Sequence, residues 1–543
     1  MSKVANYLQE HLVGEVISTT NARHYFSTDG SIFTVAPAIV VYPRNENDIR
    51  KTARFCWQLA ERGRVIPITA RGFGTDQTGA AIGSGMSLVF PAHMNNILEM
   101  DTKSGDVIVE PGISFGKLLQ TLSTHGRTIP SAPASAEYTS IGGAIGNNSS
   151  GDKSFKYGPI SNYIKSLRVV LANGEVIETR RLNKRELSKK LGLATFEGEI
   201  YRYIDTLLEE QHEELQNLSR STTRNNAGYN LLGIKHKNGS FDLSQLIAGS
   251  QGTLGIITEV ELTNEVYRTK SNIIMANFDS IEHLQQTINE IRSEGELPDS
   301  IEMIDDQSLK QLETINPNHL SEVIPSPLPK FILLIEIDSS DKNHKKITKR
   351  TLKILDQYAH SYNSSEELDE QVKYHRLRDA ISILNSHNEG LVHPLPLFDA
   401  AVPTDRIREY IEGLYKILSS NHVKPALWGH IGDGNISFEP KLNLGQVGDR
   451  QKVFRLIEEY NKFVLGLDGT LSGANGDGRL KTPYLEEMYG ANLYSILQKL
   501  KSIFDPYNIL NPGIKFGTNV DDLKAIVRGE YSLNHLYDHL PRS

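Results

Sequence analysis

Cysteine is nearly absent: the chain has one in 543 residues. Cys56 therefore has no intramolecular disulfide partner and cannot join a cluster needing several thiolates, which excludes an iron–sulfur module and fits a reducing compartment. A long basic run is also missing, and the formal charge is -8 at pH 7. That removes the electrostatic footprint of a nucleic-acid or anionic-membrane binder and leaves small neutral or anionic ligands open. The longest strongly apolar run, FILLIEI, is far too short to span a bilayer, and residues 1–20 lack an apolar core of signal-peptide length. The expectation is a cytoplasmic protein with no transmembrane segment.

With 38% hydrophobic and 23% charged residues, the chain can bury two or three cores. NENDIRKTARFCWQLAERG spaces Ile49, Ala53, Cys56 and Ala60 by four, three and four, opens on capping residues and ends at Gly63, which predicts a helix. RVIPITA and MSLVFP read as strands around the small-residue loop RGFGTDQTGAAIGSG, and SLRVVLANGEVIET reads as a hairpin with a type I′ turn at Asn173-Gly174. From about residue 266 the rhythm lengthens: strands NIIMANF, SIEMI, KFILLIEI, LFDAAVP and KPALWGH alternate with helices at 281–294 and 405–420 and a basic helix. This predicts a second domain, a sheet with helices on one face. No solenoid-type repeat is present.

Glycines 72, 74 and 79 let backbone N–H groups approach a phosphate, although a tight turn between strands explains the same residues. The loop leads into a strand, so it is not a Rossmann fingerprint, and it lacks the Gly-Lys-Ser/Thr of a Walker loop. Two further small-residue segments follow, TSIGGAIGNNSSG at 139–151 and GSQGTLGIIT at 249–258. Together, in this order and spacing, the three resemble the FAD domain of the vanillyl-alcohol oxidase and p-cresol methylhydroxylase superfamily. The resemblance implies an α+β fold: a two-part FAD-binding domain over 1–265, an α/β cap with a largely antiparallel sheet over 266–475, and a segment over 476–543 that returns to the flavin. It implies that Arg71, Gly72, Gly74, Thr75, Asp76 and Gly79 hold the diphosphate, that Ser140, Gly142, Gly143, Asn148, Ser149 and Gly151 pass under the isoalloxazine and ribityl chain, and that Gly252, Gly255, Ile256 and Ile257 take the adenosine side. Gln251 stands where relatives usually carry glutamate. FDPYNILNPGIKFG resembles the closing motif of the family and brings Asn511 back to the flavin. The pyrophosphate loop has no histidine or cysteine, which implies non-covalent FAD.

WGHIGDGNISF and GTLSGANGDGRLK resemble the paired signatures of D-lactate dehydrogenases, D-2-hydroxyglutarate dehydrogenases and glycolate oxidase subunits. In that branch two histidines and a glutamate bind a divalent metal, and a further histidine takes the substrate proton while hydride leaves for flavin N5. Here His430 is kept, but Ser437, Ala474 and Asn475 replace the second histidine, the glutamate and the base. No metal is expected from one surviving ligand. Leu397 replaces a carboxylate-binding lysine, and Glu439 an asparagine.

The reading is an FAD-dependent oxidoreductase acting on CH–OH groups of a small-molecule substrate. His430 is its proton acceptor, Asn475 and Arg479 donate to the substrate, and Arg378 anchors an anion. The bland readings are a surface ion pair of Arg378 with Asp379 or Glu389, a structural role for His430, and turn capping by Asp433 and Asp477. His375, His387 and His393 are too scattered for a metal site. The electron acceptor stays open among a quinone, a flavoprotein and oxygen, and a homodimer stays open too. The rivals are a flavin-binding subunit or pseudoenzyme and a non-redox flavin synthase of the same fold.

Overall fold

The computed structural model describes residues 2–531 except 294, 316, 319–322, 325, 326 and 386–390. His387 and Glu389 therefore lie outside the described residues.

The predicted first helix is Glu46–Glu61, capped by the Asn45 side chain, which accepts from Asp48 N. Its apolar stripe, with Ile49, Ala53 and Cys56 all fully buried, packs on a small sheet. In that sheet Ile39–Tyr42, Met86–Val89 and Ile68–Arg71 run parallel. Ile68–Arg71 and Met86–Val89 are joined by the glycine-rich loop alone, which runs as an irregular crossover. A second sheet of six strands is antiparallel and contains the hairpin Ile164–Val170 with Val176–Leu182. Its turn is not type I′. Gly174 has φ +84°, but Asn173 is not at positive φ, Gly174 N donates to Leu171 O and Leu171 N to Glu175 O. That is a three-residue loop with glycine at the left-handed position.

The second half is built on an antiparallel sheet of five strands, in spatial order Ser361–Ser365, Ser271–Phe278, Phe331–Asp338, Ser300–Asp305 and Trp428–Gly429. Helices cover both faces of this sheet, which corrects the one-face expectation. Ile274, Ala276 and Phe278 face the core shared with Ile281–Ser293 and His344–Tyr358, while Ile273 and Met275 face the core of Asp306–Ile315 and Leu368–Asn385. Burial on both sides makes the strands read as continuous apolar runs, from which periodicity cannot count the covered faces. LFDAAVP is not a strand either. It makes isolated bridges, Phe398 with Phe438 and Ala401 with both Asn435 and Thr470, because its backbone is shared among several loops. KPALWGH contributes Trp428–Gly429 alone as strand. The chain then returns to the first half, where Leu510 bridges Ile68 and Val527 bridges Phe33.

Candidate active site

The three small-residue segments converge on one cleft. Its walls include Arg71, Gly72, Gly74, Thr75 and Asp76 from the first segment, Ser140, Gly142, Gly143 and Ser149 from the second, and Gly252, Gly255 and Ile257 from the third, with Asn475 at one side. The glycines divide by role. A Cβ on Gly72 would stand 2.0 Å from Ser140 Oγ, one on Gly142 2.7 Å from Pro111, and one on Gly255 2.4 Å from Val169, so Gly72 lets two segments pack together and the other two let their segments pack on neighbouring stretches of the chain. Gly143 and Gly146 instead turn bare backbone to the cleft, since a Cβ at Gly146 would meet nothing nearer than 3.8 Å.

Side-chain amides lock the walls together. Gln251, held at φ +52°, donates to Asn147 Oδ1 at 2.7 Å and accepts from Gly478 N at 2.9 Å. Asn147 in turn donates to Asp76 Oδ1 at 3.0 Å, and Asp76 accepts from the amides of Thr78 and Ala80. Asp76 is therefore the clamp of its own loop. Neither Asn147 nor Gln251 is among the site residues the sequence predicts; the one signal is Gln251 standing where the resemblance implies glutamate.

Several expected cofactor residues stand behind the wall and do not line the cleft. Asn511 is 1% exposed, donates to the carbonyls of Ala80 and Gln251 and accepts from Thr69 Oγ1, which ties two segments from the rear. Asn148 caps its helix at φ 49° and bonds Asn226. Ile256 points into the opposite core because strand residues alternate, Gly151 lies against Ala132 O, and Gly79 lies against Phe33.

The remaining groups fit FAD. Arg71 and Ser149 are buried in the wall, and Arg71 Nη2 and Ser149 Oγ have no hydrogen-bond partner among the described residues. Burial lowers the Arg71 guanidinium to about 10, with Asp29 opposing the shift, so it stays charged at neutral pH and suits a diphosphate. The open glycine backbone at Gly143 and Gly146 suits the rest of the molecule.

His430 and Arg378 form a second cluster on the cap. His430 Nδ1 lies 2.6 Å from Oε1 of Glu302, a buried residue of Ser300–Asp305. In the sequence Glu302 is one acidic position within the strand SIEMI and carries no signal of its own. Arg378 Nη1 donates to Asp152 Oδ2 at 2.7 Å and Nε to Asp379 at 3.3 Å, so the expected pairing with Asp379 is there but a closer one joins it. A small cavity holds Glu302, Glu336, His375 and Arg378 together. Arg479 does not reach the substrate side: its Nη2 donates to Ile82 O at 2.9 Å, on the far side of the loop. Asp433 pairs with Arg224 at 2.7 Å and accepts from Thr223 Oγ1, more than a turn cap. Asp477 accepts from Gly228 N and pairs at 2.8 Å with Lys515, both side chains being fully buried.

The loop 473–476 is held by Asp399, whose carboxylate accepts from Ala474 N at 3.0 Å and Asn475 N at 2.7 Å and pairs with Lys481 at 3.1 Å. Its backbone is thus fixed at the positions where the resemblance implies a metal ligand and a base. Among the described residues, no group of three His, Cys, Asp or Glu is placed to hold a metal ion, and no helix is long and apolar enough to cross a membrane.

Comparison with known proteins gives the same outline. Residues 37–180 match the FAD binding domain family, and residues 268–514 match the family of FAD linked oxidases, C-terminal domain. The chain is 26% identical over 539 residues to D-2-hydroxyglutarate dehydrogenase of Pantoea ananatis, covering 97% of this chain and 52% of that one. It is 27% identical over 489 residues to glycolate oxidase subunit GlcD of Bacillus subtilis, covering 88% and 89%. The chain spans about half the length of the D-2-hydroxyglutarate dehydrogenases it matches. Among solved structures, p-cresol methylhydroxylase with substrate bound aligns with TM-score 0.70 at 13% identity over 96% of this chain and 97% of the other. Alkyldihydroxyacetonephosphate synthase aligns with TM-score 0.62 at 15% identity over 94% and 84%. At these identities the two structures show the shared fold alone.

Proposed function

We propose that the chain, which matches the C-terminal domain of FAD linked oxidases over residues 268–514 and the FAD binding domain over 37–180, is an FAD-dependent oxidoreductase that oxidises a CH–OH group of a small molecule, as the hydroxyacid dehydrogenases it resembles do. FAD, when bound in the cleft, supplies the hydride acceptor. The observation that carries the reading is the 2.6 Å contact of His430 Nδ1 with buried Glu302. With Nδ1–H donated to this carboxylate, the free Nε2 of His430 has the lone pair needed to accept a hydroxyl proton. Glu302 fixes the plane of the ring, because it is itself held in a central strand of the cap sheet. Asn475, whose main chain Asp399 pins at the edge of the cleft, offers its amide N–H to the substrate oxygen. An amide cannot take the proton, so the base is left to His430. FAD is held non-covalently, by backbone and by Arg71. Electrons leave to a separate acceptor, a quinone, a flavoprotein or oxygen.

Anaerobic stopped-flow reduction of the bound flavin by D-2-hydroxy acids, sugars and alcohols tests the reading. With the compound that reduces it, His430→Ala should slow reduction by roughly 10²-fold at unchanged FAD content. The replacements at Ser437, Ala474 and Asn475 favour a second reading, a flavin-binding subunit that serves a partner. A flavin that no compound in the panel reduces, although dithionite does, would replace the first reading with the second.

A further inference from the structure

The described cations Arg378, Lys153 and Lys481 each already have a carboxylate. Arg378 pairs with Asp152 at 2.7 Å, Lys153 with Glu336 at 2.9 Å and Lys481 with Asp399 at 3.1 Å. Leu397, 4% exposed, adds no charge. Asp152 is not a loose side chain that a ligand could push aside. Its Oδ1 accepts from Lys153 N at 2.8 Å, Gly151 N donates to Ser154 Oγ at 2.9 Å, and Arg224 Nη2 donates to Gly151 O at 3.0 Å. Burial works to raise the Asp152 carboxyl, yet Arg378 and Lys153 hold it below the ordinary value, so it is ionised at neutral pH. A carboxylate arriving at Arg378 would meet this fixed anion, with Glu302 and Glu336 on the wall of the same small cavity. Bringing a further negative charge beside these three carboxylates is unfavourable, because Arg378 is already paired and Glu302 and Glu336 are buried.

We propose that Asp152 is a specificity-determining residue: it occupies the anion anchor Arg378, so the substrate presents a neutral hydroxyl or carbonyl group there in place of a carboxylate. The proposal rests on the reading of His430 and the FAD cleft as one site and narrows its substrate class to neutral hydroxy compounds. It predicts that removing the Asp152 carboxylate turns Arg378 into a receptor for small carboxylates.

The test uses the FAD-loaded protein with Asp152→Ala, with the isosteric Asp152→Asn as a second variant should the first fold poorly, and with formate and D-lactate as probes. Formate should raise the unfolding temperature of Asp152→Ala and leave wild type and the double variant Asp152→Ala/Arg378→Met unmoved. D-lactate should perturb the flavin absorption of either single variant at concentrations at least about tenfold below those needed in wild type, the order expected for one freed ion-pair partner. Wild type responding to D-lactate at the same or lower concentration than both variants would overturn the proposal, as would indifference of Asp152→Ala to formate. The formate response reads Arg378 and Asp152 alone, so a failure of His430→Ala to slow flavin reduction would remove the functional reading without being mistaken for a failure here.

Discussion

Replacing Gly143 by leucine separates binding of the cofactor from folding of the protein. Gly143 lies inside the helix Ile141–Asn147 and lines the cleft; a Cβ there would meet only Ser140 Oγ, at 3.0 Å, the end of a side chain that can give by a few tenths of an ångström. A helix interior favours a side chain over glycine by about 0.5–1 kcal/mol, so the apoprotein should keep its stability within about 1 kcal/mol. The leucine side chain, however, projects into the space the cofactor needs. Loss of at least 100-fold in affinity, about 2.7 kcal/mol, is the expected result, together with loss of the stabilisation that saturating FAD gives by mass action. Gly142→Ala is the contrast, because its Cβ would stand 2.7 Å from Pro111 and should weaken the fold as well. Urea unfolding of both apoproteins and titration with FAD read the two effects apart. Stoichiometric yellow FAD in purified Gly143→Leu would refute the placement of the cofactor against this helix.

Lys515→Met should cost about 3–5 kcal/mol, since it leaves Asp477 charged and fully buried without its partner; urea midpoints check this, and Asp477→Asn added to it should recover part of the loss. Asp29 is fully buried, and burial, then the charge of Asp76, raise its carboxyl from 3.8 to about 6. The folded protein therefore binds this proton more tightly than the unfolded chain, and the stability tied to it is lost as pH rises from about 4 to about 6. Asp29→Asn should gain on wild type across that window; a difference independent of pH would refute the assignment. Wild type should carry no stoichiometric zinc or manganese, whereas Ser437→His, Ala474→Glu and Asn475→His together should bind one metal per chain by elemental analysis, because His430 remains and Asp399 already fixes the backbone that presents position 474.

The local elements were legible where one physical signal dominated. The stripe of Ile49, Ala53, Cys56 and Ala60 with Asn45 as cap specifies its helix without help from the rest of the chain, and three glycine-bearing segments in a fixed order specify the cofactor domain. Composition and spacing decide such features, because capping and periodic burial act within a few residues. What the tertiary structure decided was which polar groups meet. Glu302 was one acidic residue in an apolar strand until the sheet brought it to His430, 128 positions away. Arg378 read as an anion anchor until the fold set Asp152, 226 positions earlier, against its guanidinium, and Arg479 read as a substrate donor until its side chain was found on Ile82. The second helix-covered face of the cap sheet was hidden for a related reason, since a doubly buried strand carries no alternation to show its sides. Charge pairing depends on distance through space, and sequence separation does not record that distance.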